Sequence, residues 1–311
     1  MTKVVFMGTP DFSVPILKGL IDNYNVVGVV TQPDKEVGRK QEIAFSPIKK
    51  LAIENNITVV QPVKVRIDYQ EVLDLEPDII VTCAYGQIIP KEILDYPKYG
   101  CINVHASLLP KLRGGAPIHR AIMNGETKTG ITIMYMDEGM DTGDIISMEE
   151  VEIPNDMCVG ELHDILSELG SKLLLKTLPS ILDGTCNRIK QNNDEATIGR
   201  IIKREDEYLD FNDSTKNIYN KIRGLSPYPS SYSTLDGKIF KFYNSRVGES
   251  KKSGECGEII NIYKDGIGVK TEDGEIILTD IKPEGKKRMD VTSYLNGVDK
   301  EGLIGKIFRK E

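Results

Sequence analysis

The chain has 311 residues and a net charge of −7 at pH 7, and 40% of its residues are hydrophobic. This composition is ordinary for a globular protein, and the length is sufficient for one large core and a second domain. No apolar run approaches the roughly 20 residues of a membrane span, which argues against a membrane protein. The five cysteines and three histidines are scattered without metal-ligand spacing, so we expect no metal site and no disulfide.

The N-terminal end of the sequence is typical of a cytoplasmic protein. An apolar run with the character of a strand, Lys3–Met7, begins directly after the first residues. Because this arrangement leaves no room for a signal or transit peptide, we expect a cytoplasmic location without attachment to a membrane. No segment of the sequence indicates a stable protein partner.

The first half of the chain alternates short apolar runs with helical patterns. The predicted strands are Val4–Met7, Val26–Val30, Thr58–Val60, Ile79–Thr82, Cys101–Val104 and Ile131–Met136. The predicted helices are Val14–Asp22, Ser46–Glu54, Ala116–Met123 and the longer Val159–Leu182. Because strands that alternate with helices form βαβ units, this order predicts an α/β fold with a Rossmann-like, mostly parallel sheet. Ligands bind such sheets at the carboxyl ends of the strands.

The segment after the first predicted strand lacks the fingerprint of a nucleotide cofactor. Its sequence is Gly8-Thr9-Pro10-Asp11-Phe12. Pro10 and Phe12 stand where a dinucleotide-binding loop needs glycines for the close approach of a pyrophosphate. We therefore expect no dinucleotide at this position.

After Asp206 the pattern changes to short β-like runs separated by turns. These runs are Lys238–Tyr243, Gly257–Tyr263, Gly266–Thr271 and Glu275–Ile281. Hairpins of this kind favour a small barrel or sandwich as the C-terminal domain. The predicted division is a first domain at residues 1–189, a linker at 190–206 and a second domain at 207–311. Residues 207–311 contain 18 basic and 17 acidic residues, whereas residues 1–206 contain 22 and 30.

Chemically informative residues stand where one predicted strand ends. Asn103 and His105 are two positions apart, so their side chains point to the same face of the strand. An amide donor beside an imidazole suits a carbonyl group whose oxygen gains charge during attack. Asp141, in a later loop punctuated by glycines, can orient the imidazole, with Asp137 and Asp144 as alternative carboxylates. The pattern predicts a site for acyl-type transfer.

Each of these residues also has a purely structural interpretation. A lone buried histidine is commonly bonded to the backbone, and Asn103 and Asp141 are residue types that favour turns. For His119 and His163, which fall in predicted helices, we favour packing or surface roles. The pairing of Asn103 with His105 at one strand end favours catalysis over these alternatives.

Longer motifs resemble the folate-dependent formyltransferase family. They are Asn103-x-His105, Ser107-Leu-Leu-Pro110, Arg113-Gly and Asp137-x-Gly139-x-Asp141-Thr-Gly143. The resemblance extends over essentially the whole chain, from Gly8-Thr9-Pro10 to Pro283–Met289. Two parts resemble the members that act on tRNA: the front segment Thr31–Lys50, whose Lys35, Gly38, Arg39 and Lys40 make a flexible cationic loop, and the second domain. For the second domain the resemblance implies a C-terminal OB-like β-barrel. The resemblance implies formyl transfer from 10-formyltetrahydrofolate to the α-amino group of initiator methionyl-tRNA in translation initiation, without a covalent enzyme intermediate.

The resemblance also implies roles for individual residues. Asn103 and His105 donate to the developing oxyanion, and Asp141 holds His105 cationic and receives the proton that leaves the amine. The residues implied in folate binding are Ser107, Leu108, Leu109 and Pro110, with Tyr85, Gly86, Gln87 and Ile88 as weaker candidates that are equally plausible as core. The residues implied in tRNA binding are Arg39, Lys40, Lys286, Lys287 and Arg288. Short basic runs are more commonly only solvated faces.

The chain departs from the family in having no tryptophan. Phe211 and Tyr228 stand where second-domain tryptophans occur in the family, and we expect both to retain aromatic packing. Two other functions are compatible with parts of the pattern. One is an enzyme of the same fold that acts on a nucleotide-sugar or glycinamide ribonucleotide amine. The other is a non-catalytic RNA-binding protein, which would not need Asn103, His105 and Asp141.

Overall fold

The computed structural model describes residues 1–37 and 42–310, which form two compact units. The first unit comprises residues 1–117, 128–152 and 163–200, and the second comprises 118–127, 153–162 and the chain from 201 onward. The units are therefore interleaved in sequence, and the last change from one to the other falls inside the predicted linker. The functional division at 1–189, 190–206 and 207–311 stays a prediction.

The first unit is built on one large sheet. Its strands are β1 (Lys3–Gly8), β2 (Asn25–Val30), β3 (Lys35–Val37), β4 (Glu42–Ala44), β5 (Thr58–Val60), β6 (Ile79–Cys83), β7 (Cys101–His105), β8 (Lys128–Tyr135) and β9 (Ile145–Glu152). Seven of them form a sheet of order β5-β2-β1-β6-β7-β8-β9. The first five in this order are parallel, while β8 and β9 are antiparallel to their neighbours. The predicted mostly parallel sheet is confirmed, and β9 is an addition to it.

Along the chain up to residue 182, helices are interspersed with these strands, and residues 118–127 and 153–162 of this stretch belong to the second unit. The helices are α1 (Val14–Asn23), α2 (Pro47–Glu54), α3 (Gln70–Leu73), α4 (Lys91–Leu94), α5 (Pro117–Met123) and α6 (Val159–Leu182). The start of α2 is set locally, because the Ser46 hydroxyl accepts from the Lys49 amide and Pro47 occupies the first turn. None of the helices in the described part of the chain combines the length and apolar character that crossing a membrane requires.

The segment Thr31–Lys50 is not only a loop. β3 and β4 pair antiparallel, with Lys35 opposite Ala44, and α2 begins three residues after β4 ends. The expectation of a flexible loop is therefore wrong for Lys35, which lies in β3, because strands of three residues are too short to show an alternating pattern in sequence. The predicted helix that starts near Ser46 is confirmed as α2. Arg39 and Lys40 lie outside the described residues.

The second unit contains an antiparallel sheet. Its elements are α7 (Arg204–Glu207), α8 (Thr215–Gly224), β10 (Ser231–Leu235), β11 (Lys238–Gly248), β12 (Ile259–Ile262), β13 (Ile267–Lys270), β14 (Glu275–Pro283), β15 (Met289–Asp290) and α9 (Val291–Leu295). The strand order is β10-β11-β14-β13-β12, with β15 paired to β14. Bridges join Arg309 to Thr234 on β10 and Ile307 to Glu258 beside β12. The C-terminal antiparallel β domain is confirmed, and these bridges are consistent with the predicted OB-like barrel.

The two aromatic residues at the family's tryptophan positions have opposite environments. Phe211 is 2% exposed and packs against the rings of Phe242 and Phe308, with centroids 6.1 and 5.7 Å away. Tyr228 is 80% exposed, in the turn between Pro227 and Pro229. Aromatic packing is therefore confirmed for Phe211, and the same expectation is wrong for Tyr228, because this turn directs its ring to solvent.

Candidate active site

Asn103 is held in place by a hydroxyl group on the neighbouring strand. β7 lies between β6 and β8, and Asn103 is opposite Thr82 of β6 in the parallel register. The buried Thr82 hydroxyl donates to Asn103 Oδ1 over 2.9 Å, the shortest of its contacts, and lies 3.1 Å from both the Ile102 carbonyl oxygen and the Met136 sulfur. Because the amide oxygen is engaged in this way, the Nδ2 group is left as the donor that faces Asp141. The register of two strands decides this contact, and the sequence pattern contains no signal for it.

Both ring nitrogens of His105 face oxygen atoms. Nε2 is 3.1 Å from the carbonyl oxygen of Leu112, and Nδ1 is 3.7 Å from Oδ1 of Asp141. The ring is 6% exposed. The backbone contact expected for a structural histidine is thus present at one nitrogen, while the other nitrogen faces the carboxylate. Each ring nitrogen therefore has an oxygen atom to which an N–H group can donate.

One oxygen of Asp141 is shared by both predicted catalytic side chains. Oδ1 accepts from Asn103 Nδ2 at 3.4 Å and faces His105, while Oδ2 accepts from the Gly114 amide at 2.7 Å. The alternative carboxylates have other partners: Asp137 accepts from the Thr142 hydroxyl, and Asp144 pairs with an arginine. Of the three, Asp141 is the carboxylate that the structure brings to Asn103 and His105.

The segment Ser107–Pro110 is fixed largely by its own backbone and by β8. Thr132 donates to the Ser107 carbonyl over 2.6 Å and accepts from the Leu109 amide over 3.2 Å. The Ser107 hydroxyl donates to the Lys111 carbonyl, and the Leu109 side chain is buried. Leu108 and Pro110 are half-buried. Within this segment, the side chains with surface left for a ligand are therefore Leu108 and Pro110.

The residues Tyr85–Ile88 follow β6, the parallel neighbour of β7. Since both strands end at the same edge of the sheet, this segment starts on the side where Asn103 and His105 lie. Tyr85 is buried in the core, and its burial raises the pKa of its hydroxyl to about 12. The Gln87 side chain accepts from the Val65 amide. Gly86 is exposed and Ile88 is 67% exposed, so these two residues are the ones free to meet a ligand.

A surface cavity of about 400 Å³ lies elsewhere in the first unit. It is formed by α4 and the chain after β8, with Leu94, Asp95, Met136 and Glu138 among its lining residues. Asp137 lines it, but Asn103, His105, Asp141 and Ser107–Pro110 do not, so it does not define the ligand site. No group of residues suited to hold a metal ion occurs in the part of the chain that the structure describes.

The basic residues of the second unit differ in how much positive charge they present. Lys286 and Lys287 are exposed. The guanidinium of Arg288 donates to both carboxylate oxygens of Asp280, with a shortest distance of 2.7 Å, and lies over the Tyr243 ring. The hydrogen bonds to Asp280 raise the pKa of Arg288, and the same contact offsets its charge locally. Lys286 and Lys287 are thus the stronger candidates for phosphate contacts.

Family models match both parts of the chain. A model described as formyl transferase matches residues 2–178, and one described as formyl transferase, C-terminal domain, matches residues 201–299. Together the two matches extend over most of the sequence, including Asn103, His105 and Asp141 in the first and Lys286–Arg288 in the second.

Curated relatives agree with the family models. The chain is 52% identical over 305 residues to proteins named methionyl-tRNA formyltransferase from Bacillus thuringiensis and Bacillus anthracis, covering 97% of each chain. The fold matches an N-formyltransferase from Helicobacter canadensis in complex with folinic acid and dTDP-3-aminofucose, with a TM-score of 0.68, 22% identity and coverage of 89% and 99%. It also matches a methionyl-tRNA formyltransferase from Clostridium thermocellum, with a TM-score of 0.56, 22% identity and coverage of 80% and 94%. The chain therefore belongs to the formyl transferase family, among the methionyl-tRNA formyltransferases.

Proposed function

We propose that the chain transfers a formyl group from 10-formyltetrahydrofolate to the α-amino group of initiator methionyl-tRNA, in translation initiation in the cytoplasm. The full-length similarity to relatives of this name is the observation that carries the choice of substrate. The convergence of Asn103, His105 and Asp141 on one point supports the reaction type. The folate donor supplies the formyl group when it is bound.

In the proposed mechanism, Asn103 stabilises the charge that develops on the formyl oxygen. Its Nδ2 group, 3.4 Å from Asp141 in this structure, exchanges that weak contact for the formyl oxygen. Thr82 keeps the amide from rotating, so the donor is oriented before the substrates arrive. Removal of one such donor typically lowers the rate by about 10² to 10³.

His105 and Asp141 handle the protons in this proposal. The neutral amine attacks the formyl carbon, and its proton passes to Asp141 directly or through water. The cationic ring of His105 donates to the formyl oxygen and then supplies the proton that the departing folate nitrogen takes up. The bond from carbon to the folate nitrogen breaks as the new amide forms, so no covalent enzyme intermediate is required.

The loops at the strand ends suit a flat folate ring. Pockets for such ligands are mostly apolar with a few polar anchors. Exposed Ile88 and Met140, together with half-buried Leu108 and Pro110, supply apolar surface on the loops that follow β6, β7 and β8. The residues proposed to bind the folate are Ser107, Leu108, Leu109, Pro110, Tyr85, Gly86, Gln87 and Ile88. The buried members of this set act through their backbone groups.

For tRNA binding we propose the basic residues on two separate segments. Arg39 and Lys40 belong to the front segment, and Lys286, Lys287 and Arg288 belong to the second domain. Cationic contacts to phosphates supply affinity, whereas the choice of one tRNA needs contacts to bases or opened base pairs. The catalytic domain at 1–189 and the tRNA-binding domain at 207–311 divide these tasks in the proposal.

The deciding experiment supplies 10-formyltetrahydrofolate with charged initiator tRNA, and in parallel with amines of a nucleotide-sugar and of glycinamide ribonucleotide. We expect formyl-methionyl-tRNA as the product and no comparable product from the other amines. His105→Ala should lower turnover by at least about 10² while largely sparing tRNA binding, because His105 acts on the formyl group. Arg39→Ala should weaken tRNA binding while largely sparing turnover. Absence of formyl-methionyl-tRNA with the unaltered protein contradicts the proposed function.

A further inference from the structure

Arg113 is a buried cation whose hydrogen-bond partners are amide oxygens. Its side chain is 6% exposed. Nε and Nη2 donate to Oε1 of Gln191 over 3.0 and 2.7 Å, and Nη2 also donates to Oδ1 of Asn193 over 2.9 Å. Because two N–H groups of the guanidinium donate to Oε1 of Gln191, this oxygen faces Arg113 and the Nε2 group of Gln191 points away from it.

The Nε2 group of Gln191 binds the loop that carries Asp141. It donates to the carbonyl oxygens of Asp141 and Gly143, each over 2.8 Å. A single amide group therefore uses both of its N–H donors on two carbonyls of one turn. The sequence separates Gln191 from Asp141 by 50 residues, so this contact is established only by the fold.

The backbone of Asp141 needs such support. Its φ angle is +55°, in the left-handed region, which a residue other than glycine adopts at a cost and keeps when its surroundings hold it. Gln191 holds the backbone on one side, and the Gly114 amide holds the carboxylate on the other. Gly114 directly follows Arg113, so the residue that orients Gln191 is adjacent to the residue that holds the carboxylate.

We propose that Gln191, oriented by Arg113, is a positioning residue that sets Asp141 against Asn103 and His105. The proposal rests on the proposed formyl transfer for its kinetic consequences. Gln191 and Arg113 act through Asp141 and have no assigned contact with the reacting groups. A displacement of about 1 Å in a catalytic group can lower a rate by about 10²-fold, so loss of this restraint should appear in turnover.

The most informative substitution is Gln191→Glu. The new carboxylate keeps an acceptor for Arg113 but has no N–H group for the carbonyls of Asp141 and Gly143. Asn193→Asp is the matched control, because it places the same new charge beside the same guanidinium and leaves the contact between Gln191 and the loop in place. We expect kcat to fall about 10- to 100-fold for Gln191→Glu, with KM for both substrates within about twofold, and Asn193→Asp to stay within about twofold. Equal losses in the two variants overturn the proposal.

A double-mutant cycle tests whether Gln191 acts through Asp141. The rates of Asp141→Asn, Gln191→Glu and the double variant are measured in single turnovers with enzyme in excess. If the proposal is right, Gln191→Glu changes the rate by less than about twofold once Asp141 is replaced. The same loss in both backgrounds means that Gln191 acts by another route, and this result overturns the proposal.

A spectroscopic measurement tests the geometry without any assay. The chain has three histidines, so ¹³C labelling of the histidine rings gives signals for His105, His119 and His163 alone. Gln191→Glu should shift the His105 signal, because Asp141 moves relative to the ring, and should leave the other two unchanged. An unchanged His105 signal overturns the proposal. If the unaltered protein makes no formyl-methionyl-tRNA, the proposed function fails, while this measurement still decides the positioning role.

Discussion

The carboxylate of Asp141 gives its two oxygen atoms different tasks. Oδ1 faces Asn103 and His105 at 3.4 and 3.7 Å, and both distances are longer than a normal hydrogen bond to a charged group. Oδ2 is anchored by the Gly114 amide at 2.7 Å. The tight contact thus fixes the carboxylate, while the loose contacts leave Asn103 and His105 able to exchange partners when a substrate arrives.

Thr82→Val should lower activity through Asn103. The substitution keeps the shape of the side chain but removes the hydroxyl that donates to Asn103 Oδ1, so the amide is free to rotate. We expect kcat to fall about tenfold or more, with little change in KM for tRNA. Steady-state kinetics of formyl transfer measure this effect.

Thr129→Val is the control for this substitution. Thr129 is also buried in the first unit, on β8, and its hydroxyl has no hydrogen-bond partner among the described residues. The same chemical change there removes no hydrogen bond, so activity and stability should stay at the level of the unaltered protein. A loss of activity equal to that of Thr82→Val contradicts the role assigned to Thr82.

The aromatic residues of the second unit should respond very differently to truncation. Phe211→Ala removes a ring from the core and should lower the free energy of unfolding by about 3–5 kcal/mol. Tyr228→Ala removes an exposed ring and should change that free energy by less than about 0.5 kcal/mol. Urea unfolding of the two variants measures the difference. A large destabilisation by Tyr228→Ala contradicts the exposed position.

Secondary structure elements bring the catalytic groups together in two ways. β6 and β7 are parallel, so Thr82 and Asn103 lie side by side and the loops that follow them leave the same edge. Asp141 instead comes from the loop between β8 and β9, which is tied to the chain around Gln191 and Arg113. The strands therefore place Asn103 and His105, and hydrogen bonds between loops place their partner.

A carboxylate that is hydrogen-bonded to the start of α8 should make the stability of the protein depend on pH. The carboxylate of Asp273, in the turn between β13 and β14, accepts from the backbone amide and the hydroxyl of Thr215 at 2.8 and 2.7 Å. These bonds hold the pKa of Asp273 below its ordinary value of 3.8. A carboxylate with a lowered pKa in the folded state stabilises the fold above its unfolded pKa, and this contribution is lost as the pH falls through the folded value.

Asp273→Asn should therefore lower the free energy of unfolding at pH 7. Between pH 7 and pH 3, this free energy should also fall less for the variant than for the unaltered protein. Urea midpoints at both pH values, compared between the variant and the unaltered protein, measure this difference. Asp265→Asn is the control, since Asp265 also precedes a glycine in a turn of the second unit but pairs with Arg246 at an exposed position. An identical pH profile for Asp273→Asn and the unaltered protein contradicts the capping role.

At the scale of the whole molecule, charge is unevenly distributed along the chain. The excess of acidic residues lies before residue 207, and the later part has one more basic than acidic residue. Contacts between lysines and phosphates release counterions, so tRNA affinity should fall as the salt concentration rises. The overall negative charge is therefore compatible with a tRNA substrate, provided that the basic residues are locally concentrated.

Lys286→Ala and Lys287→Ala should each weaken tRNA binding and its salt dependence. For each phosphate that a lysine no longer neutralises, the slope of log K against log salt should decrease by about 0.7–0.9, with kcat at saturating tRNA unchanged. Lys300→Ala, an exposed lysine of the same unit outside this segment, is the control. Binding curves at several salt concentrations give the slopes. Equal slopes for all three variants contradict a phosphate contact at Lys286 or Lys287.

The parts of the fold that the sequence predicted are those with a strong local pattern. The central strands of the first sheet are continuous apolar runs buried on both faces, as in β1, and α6 begins and ends at the predicted residues. β9 went unpredicted because its second half is mostly exposed and rich in glutamate. α8 went unpredicted although its start carries a local signal, since the Ser214 hydroxyl accepts from the Asn217 amide and the buried Ile218 and Ile222 are spaced four residues apart. A weak local pattern such as that of β9 acquires its structure from tertiary packing.

For this protein, the sequence alone determined the strand–helix order, the pair of Asn103 and His105 at one strand end, and the family resemblance, because each is encoded by residues close together in the chain. Only the tertiary structure decided which of three carboxylates meets that pair, which end of the Asn103 amide is the donor, and how Gln191 reaches the Asp141 loop. These outcomes depend on strand register and on the direction of hydrogen bonds between distant segments, which spacing along the chain does not specify.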